Sequence, residues 1–242
     1  MTLKKLQENW DGLAKLNPTW AILTERNDWD INEFFHTGCI YISKILNHIK
    51  SRGYNLNCGK ALDFGCGMGR LTQALSQRFN NVIGVDISPT MVELANKYNK
   101  YKEKCQYIIN NGDDLKQLGN SSFDFIISHI TLQHIQPIYA IKYILEFLRI
   151  LAQGGILVFQ LPSRLALCNV KNFIINYSPN VLLRIYRSIR NYNNLSPRME
   201  MYMIKEKKIL NILKANNAKI VDIVKDASAG NEYVSLTYFV TK

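Results

Sequence analysis

Cysteine, proline and long apolar runs are all scarce in this sequence of 242 residues. Its 5 cysteines are scattered and form no Cys-x-x-Cys pair, so the sequence predicts neither a disulfide framework nor a zinc site. No segment approaches the roughly 18 uncharged apolar residues of a membrane span, and the first residues lack the apolar core of a signal peptide. We therefore expect a cytoplasmic protein that binds no metal.

Acidic residues are also in the minority. Lys and Arg number 30 against 19 Asp and Glu, which gives a formal net charge of +11. Residues 163–208 hold nine basic side chains and two acidic ones. Such a segment attracts anionic partners, whether a phosphorylated metabolite, a nucleotide, RNA or an acidic membrane surface. A solvated surface without a partner is the alternative interpretation.

The hydrophobic pattern alternates between helical and strand periodicity. Residues 1–52 have helical spacing, and short apolar strands are predicted afterwards at 61–64, 82–85, 106–109, 123–128 and 156–161. Helices are predicted between them at 70–79, from Pro89 to about 101, and at 137–151. This alternation predicts a mostly parallel sheet covered by helices on both faces. A helix at 205–216 and two strands, 219–224 and 233–240, follow; their short connection requires an antiparallel pair.

Glycine is concentrated where the first strand meets the first helix of the sheet. Gly65, Gly67 and Gly69 follow the strand, and glycine lets the backbone approach a ligand closely. A dinucleotide fingerprint would have Gly or Ala at the position of Arg70, which counts against NAD or FAD. Asp86 ends the second strand, where a carboxylate can accept hydrogen bonds from both hydroxyls of a ribose.

Together these motifs resemble the class I S-adenosylmethionine-dependent methyltransferases, in particular the group that acts on small molecules. Residues 62–70 match the first motif of that family and 84–88 match the second. Gly112 and Asp113 match the third, 121–128 the fourth, and 148–157 the start of the fifth strand. The resemblance implies a Rossmann-like sheet of seven strands, mostly parallel with an antiparallel last strand, and S-adenosylmethionine as the cofactor.

From these patterns and the resemblance we expect a division of labour within a single domain, 1–242. Residues 1–58 form a helical N-terminal cap, 59–162 bind the cofactor, 163–203 form a basic helical insertion over the acceptor site, and 204–242 supply the last helix and strand pair. The glycine turn holds the methionine part, Asp86 the ribose, Ile87 and Met91 the adenine face, and Asp113 the adenine edge. The implied cofactor residues in full are Asp63, Gly65, Cys66, Gly67, Gly69, Asp86, Ile87, Met91, Asp113, Asp114, Leu115, Ser128, and the lid residues Phe35 and Gly38.

Two histidines follow the fourth strand and are the candidates for a catalytic base. His129 and His134 lie at the carboxyl edge of the predicted sheet, where α/β proteins bind ligands. A packed, hydrogen-bonded structural role is the alternative for either of them. An anionic acceptor would need no base, and it would suit the basic insertion. The candidate acceptor residues are Arg164, Arg198, Met199 and Tyr202, for which lid packing is the alternative.

We expect O- or N-methylation of a small anionic metabolite, glycan or natural-product intermediate. An RNA or protein methyltransferase would use the same cofactor site, but the chain shows no added RNA-binding module and has no Asn-Pro-Pro-Tyr type motif after the fourth strand. A non-catalytic cofactor-binding protein would be expected to lose the glycines or the acidic residues. The basic stretch 181–192 could also lie on a membrane surface, although packing on its own domain is favoured.

Overall fold

The computed structural model describes residues 1–166, 197 and 199–242. Its strands are β1 (Lys60–Phe64), β2 (Asn81–Asp86), β3 (Cys105–Ile109), β4 (Phe123–Ser128), β5 (Leu151–Leu165), β6 (Lys219–Asp226) and β7 (Tyr233–Thr241). Its helices are α1 (Leu3–Leu16), α2 (Pro18–Ile22), α3 (Ile31–Ser51), α4 (Arg70–Ser76), α5 (Pro89–Tyr98), α6 (Pro137–Ile150) and α7 (Glu206–Ala215), with a 3-10 turn at Leu132–His134.

The seven strands form one sheet in the order β3-β2-β1-β4-β5-β7-β6. Strands β1 to β5 pair in parallel, whereas β7 runs antiparallel to both β5 and β6. This arrangement confirms the predicted α/β class with a reversed final strand. The order reverses beside β1, so the carboxyl ends of β1, β2 and β4 meet at a place where such sheets bind ligands.

Helices cover both faces of the sheet with apolar side chains. On one face, Ile42 and Ile45 of α3 and Leu75 of α4 pack against Phe125 and Val158. On the other face α6 contributes aromatic rings, including those of Tyr143 and Phe147, which meet Phe64 of β1 at centroid distances of 4.5 and 5.0 Å. The two buried faces hold the strand ends, and therefore the ligand site, in fixed positions.

Local side-chain hydrogen bonds explain where α5 begins and ends. The Ser88 hydroxyl accepts a hydrogen bond from the Met91 amide at 3.2 Å, and Pro89 occupies the first turn of α5, as the sequence predicts. At its other end α5 stops at Tyr98, three residues before the predicted end. The Asn99 side chain accepts from the Tyr101 amide and donates to the Cys105 carbonyl, which turns the chain into β3.

Two other predicted boundaries were wrong. Helix α4 ends at Ser76 and not at 79. Strand β5 covers Leu151–Leu165, well beyond the predicted 156–161, because it pairs with β4 from Leu151 and with β7 as far as Leu165. Gly154, with φ +74°, lies inside that strand at an irregularity of the pairing rather than in a turn before it.

The predicted basic insertion falls mostly on residues 167–196 and 198, which lie outside the described residues. The same applies to the stretch 181–192 that was considered for membrane contact. The division of the chain into cap, cofactor half, insertion and C-terminal part stays a prediction. Within the described ranges, no helix combines the length and the apolar composition that crossing a membrane requires.

A close contact between α3 and α4 generates the first prediction. A Cβ atom built on Gly38 would lie 2.2 Å from the Arg70 carbonyl oxygen, which belongs to the backbone and cannot turn aside. Gly38→Ala should therefore push the helices apart and lower the free energy of unfolding by about 1–3 kcal/mol. Urea unfolding followed by circular dichroism measures this change.

Gly119→Ala is the matched control, because its Cβ would meet nothing closer than the Ser122 side chain at 3.7 Å. It should leave the unfolding midpoint within error of the wild type. Equal stability of the Gly38 variant and the control would contradict the close helix packing.

Candidate active site

The described part of the chain contains a cavity at the carboxyl ends of β1, β2 and β4. It encloses about 880 Å³ of empty space, part of it open to solvent. Helices α1 and α2 close it from above, since Leu6 and Trp10 of α1 and Ala21 and Ile22 of α2 contribute to its walls. Mostly apolar walls with a few polar groups are the usual form of a small-molecule site.

The glycine turn forms the floor of this cavity. Gly65 has φ +80° and Gly67 has φ +51°, conformations that favour glycine. The Gly65 and Cys66 amides both donate to the Val85 carbonyl, at 2.7 and 3.0 Å, which ties the turn to β2. A Cβ on Gly65 would lie 2.2 Å from the Thr131 side chain, so glycine is required for the loop after β4 to approach.

The Asp86 carboxylate joins the glycine turn to α5 beside the cavity. One oxygen accepts from the Gly67 amide at 2.8 Å and the other from the Ser88 amide at 2.9 Å. Burial raises the pKa of Asp86, and these backbone hydrogen bonds oppose that effect. Each carboxylate oxygen can still accept another hydrogen bond, so the group is able to receive two hydroxyls.

Two oppositely charged side chains, those of Asp63 and Arg70, are buried beside the glycine turn. Asp63 accepts from the Thr72 hydroxyl at 2.6 Å, and burial raises its pKa to about 6. Arg70 is only 5% exposed, and one of its terminal nitrogens donates to the Thr37 hydroxyl at 3.3 Å. Its Nε has no hydrogen-bond partner among the described residues, although Arg70 lines the cavity. A buried guanidinium with a free donor is suited to an anionic group of a ligand.

The structure brings His129 into the cavity and leaves His134 outside it. His129 Nδ1 shares a hydrogen bond of 2.8 Å with the Tyr41 hydroxyl, and the two rings stack with centroids 4.0 Å apart. Burial, reinforced by the positive charge of Arg70, lowers the pKa of His129 to about 3. The imidazole is therefore uncharged at neutral pH and only weakly basic.

His134 is part of the packing beside the cavity. Its Nδ1 lies 2.7 Å from the Glu200 carbonyl oxygen, its Nε2 lies 3.1 Å from the Gln133 amide nitrogen, and Trp10 meets its ring edge-on. Burial lowers the pKa of His134 to about 4. Both ring nitrogens are thus occupied by protein groups, in agreement with the structural alternative for this residue.

Ile130, also in the cavity wall, has a left-handed backbone with φ +56°, which is strained for a β-branched residue. Its amide donates to the side-chain oxygen of Gln160 at 3.2 Å. Gln160 is fully buried, and its amide nitrogen donates to Gln133 and Ser235. This buried network holds the strained loop in place, and with it the neighbouring His129 and Thr131.

The third motif lies differently from the sequence-based expectation. Asn110 and Tyr143 line the cavity, whereas Asp113, Asp114 and Leu115 do not. The Asp113 carboxylate pairs with Lys142 near the surface, and Asp114 pairs with Lys116. Leu115 is fully buried in the core below α6. Asn110 donates to the Asp114 carbonyl at 3.1 Å, which turns the acidic loop away from the cavity.

The remaining predicted residues divide between the cavity and its supports. Asp63, Gly65, Cys66, Gly67, Asp86, Ile87 and Met91 line the cavity together with His129. Gly69 starts α4 beneath it. The lid candidates Phe35 and Gly38 lie on α3, where Phe35 packs against Phe34 and Tyr98. The Ser128 hydroxyl is buried without a partner among the described residues. The structure therefore gathers half of the proposed cofactor residues around one space.

Of the predicted acceptor residues, the three that the structure describes do not line the cavity. Arg164 is exposed near the end of β5, and Met199 packs against the cluster formed by α1, α2 and the start of α3. The Tyr202 amide donates to the Gln133 carbonyl at 2.7 Å, and its hydroxyl bonds the Glu200 carboxylate. Arg198 lies outside the described residues. The acceptor role of these four residues stays a prediction.

The sequence and the fold of this chain are similar to those of methyltransferases. Residues 62–159 match the family model described as a methyltransferase domain. An uncharacterized methyltransferase of Anoxybacillus flavithermus is 33% identical over 117 residues, which are 48% of this chain and 50% of that protein. A demethylmenaquinone methyltransferase of Tropheryma whipplei is 30% identical over 99 residues, 41% of this chain and 40% of that protein.

Residues 62–159 form a methyltransferase domain. The matched segment spans half or less of the length of these curated relatives. The fold extends further: magnesium protoporphyrin IX methyltransferase from Synechocystis, crystallised with S-adenosylhomocysteine, has a TM-score of 0.63 at 19% identity, covering 98% of each chain. The matched segment includes the glycine turn, Asp86 and His129, which line the cavity. Leu6, Trp10, Ala21 and Ile22 line it from outside that segment.

The low pKa of His129 generates a prediction about stability and pH. In the folded methyltransferase domain this histidine takes up a proton only near pH 3, whereas the ordinary value of 6.5 applies in the unfolded chain. Between these values the unfolded state binds more protons, so the free energy of unfolding falls as the pH falls. His129→Gln should remove this loss, which amounts to about 2 kcal/mol between pH 7 and pH 5.

Urea unfolding at pH 7 and pH 5 measures the difference between wild type and variant. His36→Gln provides the control, because His36 is exposed on α3 and should leave the pH dependence as it is. An identical pH dependence in wild type and His129→Gln would show that His129 is not held uncharged by burial.

Proposed function

We propose that this chain binds S-adenosylmethionine in the cavity and transfers the methyl group to a small anionic acceptor, leaving S-adenosylhomocysteine. The observation that carries the proposal is the convergence on one cavity of a carboxylate at the end of β2, a glycine turn and a buried arginine with a free donor. The cofactor offers a ribose diol, an adenine ring and a carboxylate. Each of these groups has a chemically matched residue in the cavity.

In this proposal Asp86 receives the ribose hydroxyls, and Ile87 and Met91 contact the adenine. Asn110 and Tyr143, which line the cavity, take the adenine edge in place of Asp113. The glycine turn accommodates the methionine part, and the free Nε–H of Arg70 donates to its carboxylate. Arg70 also explains the departure from the dinucleotide fingerprint, since a guanidinium here has a ligand group to bind.

S-adenosylmethionine supplies a methyl group on a positively charged sulfur, which makes the leaving group a neutral thioether. The protein then has two tasks, to align the acceptor and to exclude water. The apolar side chains of Leu6, Ile22, Leu71 and Ile130 wall the cavity and serve the second task. The strained loop at Ile130 places His129 at the cavity wall, where it can help to align the acceptor.

The low pKa of His129 supports an acceptor that is already ionised when it binds. A base with a pKa of about 3 removes a proton from a neutral hydroxyl only at great cost. Uncharged His129 is suited instead to hydrogen bonding with the acceptor and orienting it. The similar proteins with named acceptors act on a quinone precursor and a porphyrin, both small molecules, which supports the same class of acceptor here.

Calorimetric titration with S-adenosylhomocysteine tests the cofactor assignment. Asp86→Asn keeps the size of the side chain but loses the charge and one acceptor, and we expect binding at least tenfold weaker because a charge-assisted hydrogen bond is worth about 1.5–3 kcal/mol. Asp113→Asn, at the surface pair with Lys142, should bind as the wild type does. Equal loss in both variants, or no binding to folded wild type, would overturn the assignment.

A second experiment follows S-adenosylhomocysteine release with phosphorylated and carboxylated acceptors, each matched with a neutral analogue. We expect turnover of the anionic members only. With the anionic acceptors, His129→Gln should lower kcat by less than about tenfold. General-base catalysis accelerates a reaction by about 10²–10⁴ and is not required for an ionised acceptor. Turnover of neutral acceptors alone, or a loss beyond a hundredfold in His129→Gln, would contradict an anionic acceptor. Binding without turnover of any acceptor would favour the non-catalytic alternative.

A further inference from the structure

Three buried polar side chains connect the cavity wall to residues 200–202. They are Gln160 of β5 and Gln133 and His134 of the 3-10 turn, and each is at most 3% exposed. We call these three residues the glutamine–histidine network. Because bulk water has little access to them, their donors and acceptors have to be matched by protein groups.

The direction of each hydrogen bond in the network is determined from its cavity end. The Ile130 amide can only donate, and it donates to the Gln160 side-chain oxygen at 3.2 Å. The Gln160 amide nitrogen is therefore the group that donates to the Gln133 side-chain oxygen, at 2.9 Å. This leaves the Gln133 amide nitrogen to donate to His134 Nε2, which lies 3.1 Å away.

The other end of the network requires the same direction. The Glu200 carbonyl can only accept, and it lies 2.7 Å from His134 Nδ1. His134 therefore carries its hydrogen on Nδ1 and presents the lone pair of Nε2 to Gln133. Burial lowers the pKa of His134 to about 4, which keeps the ring in the uncharged form that the network needs at neutral pH.

A main-chain hydrogen bond adds a second connection between the same segments. The Tyr202 amide donates to the Gln133 carbonyl at 2.7 Å. Residues 200–202 belong to the predicted acceptor insertion, 163–203, whereas Ile130 lies in the cavity wall. The network thus joins a loop of the cavity wall to a segment for which an acceptor role is predicted.

The cavity end of the network holds a strained residue. Ile130 has φ +56°, a conformation that a β-branched residue keeps only where its surroundings enforce it. Its neighbours His129 and Thr131 line the same cavity. Loss of the bond from Ile130 to Gln160 would let the loop relax, and the His129 ring would move with it.

We propose that the glutamine–histidine network positions the cavity wall for methyl transfer, by fixing the loop that carries His129 to residues 200–202. Its three members act through that loop and are positioning residues. The inference rests on the proposed function, since His129 is the group assigned there to orienting the acceptor. It also gives His134 a role in the reaction that differs from that of a base.

Nitrogen-15 NMR of the histidine rings in the full chain tests the direction of the network. At pH 7 we expect His134 to be uncharged with its hydrogen on Nδ1, and the loss of signals in His134→Gln assigns them.

Gln160→Met removes the hydrogen bonds of Gln160 but keeps a side chain of similar length. The Gln133 amide is then free to turn, so the His134 ring should populate both tautomers, although its own hydrogen bonds are to Gln133 and Glu200. The His129 signals should also move, because the Ile130 loop has lost its support. A merely structural contribution of Gln160 would lower stability without changing the tautomer of His134.

Ser235→Ala is the matched control. The Ser235 hydroxyl accepts from the same Gln160 amide nitrogen, but it lies on a side branch that does not lead to Glu200. Ser235 is 1% exposed, so the control also removes a buried hydrogen bond. It should leave the His134 tautomer and the His129 signals as they are in the wild type. In calorimetric titration both variants should bind S-adenosylhomocysteine as the wild type does.

Should Gln160→Met fail to fold, Gln133→Met interrupts the network at its middle residue and should likewise move the His129 signals. A hydrogen on Nε2 of His134 in the wild type would overturn the positioning role. Unmoved His129 signals in the variant that folds, or equal changes in Ser235→Ala, would overturn it as well.

Binding of S-adenosylhomocysteine separates this inference from the proposed function. If the wild type binds S-adenosylhomocysteine while the histidine signals contradict the network, the proposed function survives and only the positioning role fails. If folded wild type does not bind it, the proposed function fails whatever the histidine signals show.

Discussion

The carboxylate of Asp86 is the constraint on which the site depends. It accepts one hydrogen bond from the turn after β1 and another from the start of α5, so it fixes two loops at once. The start of α5 is in turn bound from above, because Asp11 of α1 accepts hydrogen bonds from the Ser88 hydroxyl and the Thr90 amide. Gln7 adds a bond of 2.9 Å to the Ile87 carbonyl. Asp86 and Asp11 together thereby connect the sheet edge to α1, one of the two helices that close the cavity.

Two buried charged side chains determine the electrostatics of another part of the cavity wall. Arg70 and Asp63 are both nearly inaccessible, and each moderates the cost of burying the other. The positive charge of Arg70 also reaches His129 and helps to keep that imidazole uncharged. A cavity that contains a cation and a neutral histidine is suited to binding anions and poorly suited to removing protons. The proposal of an ionised acceptor rests on these same two features.

The sequence predicted the fold well because its signals are local. Strand and helix periodicity depends on neighbouring residues, and the Ser88 cap and the glycine turn are short-range patterns. Boundaries that depend on a partner strand were less accurate: β5 extends to Leu165 only because β7 lies beside it. The sequence shows an arginine at position 70 where the dinucleotide fingerprint has Gly or Ala. It does not show that the guanidinium is buried with a free donor beside a cavity.

The sequence by itself determined the α/β order of elements, the methyltransferase motifs and the placement of Asp86 at a strand end. Only the tertiary structure decided that His129 faces the cavity while His134 packs against Trp10, and that Asn110 rather than Asp113 borders it. It also decided that Tyr41 of α3 meets His129 in the loop after β4. The physical reason is that the direction and burial of a side chain are set by elements distant along the chain, whereas motif spacing records only its neighbours.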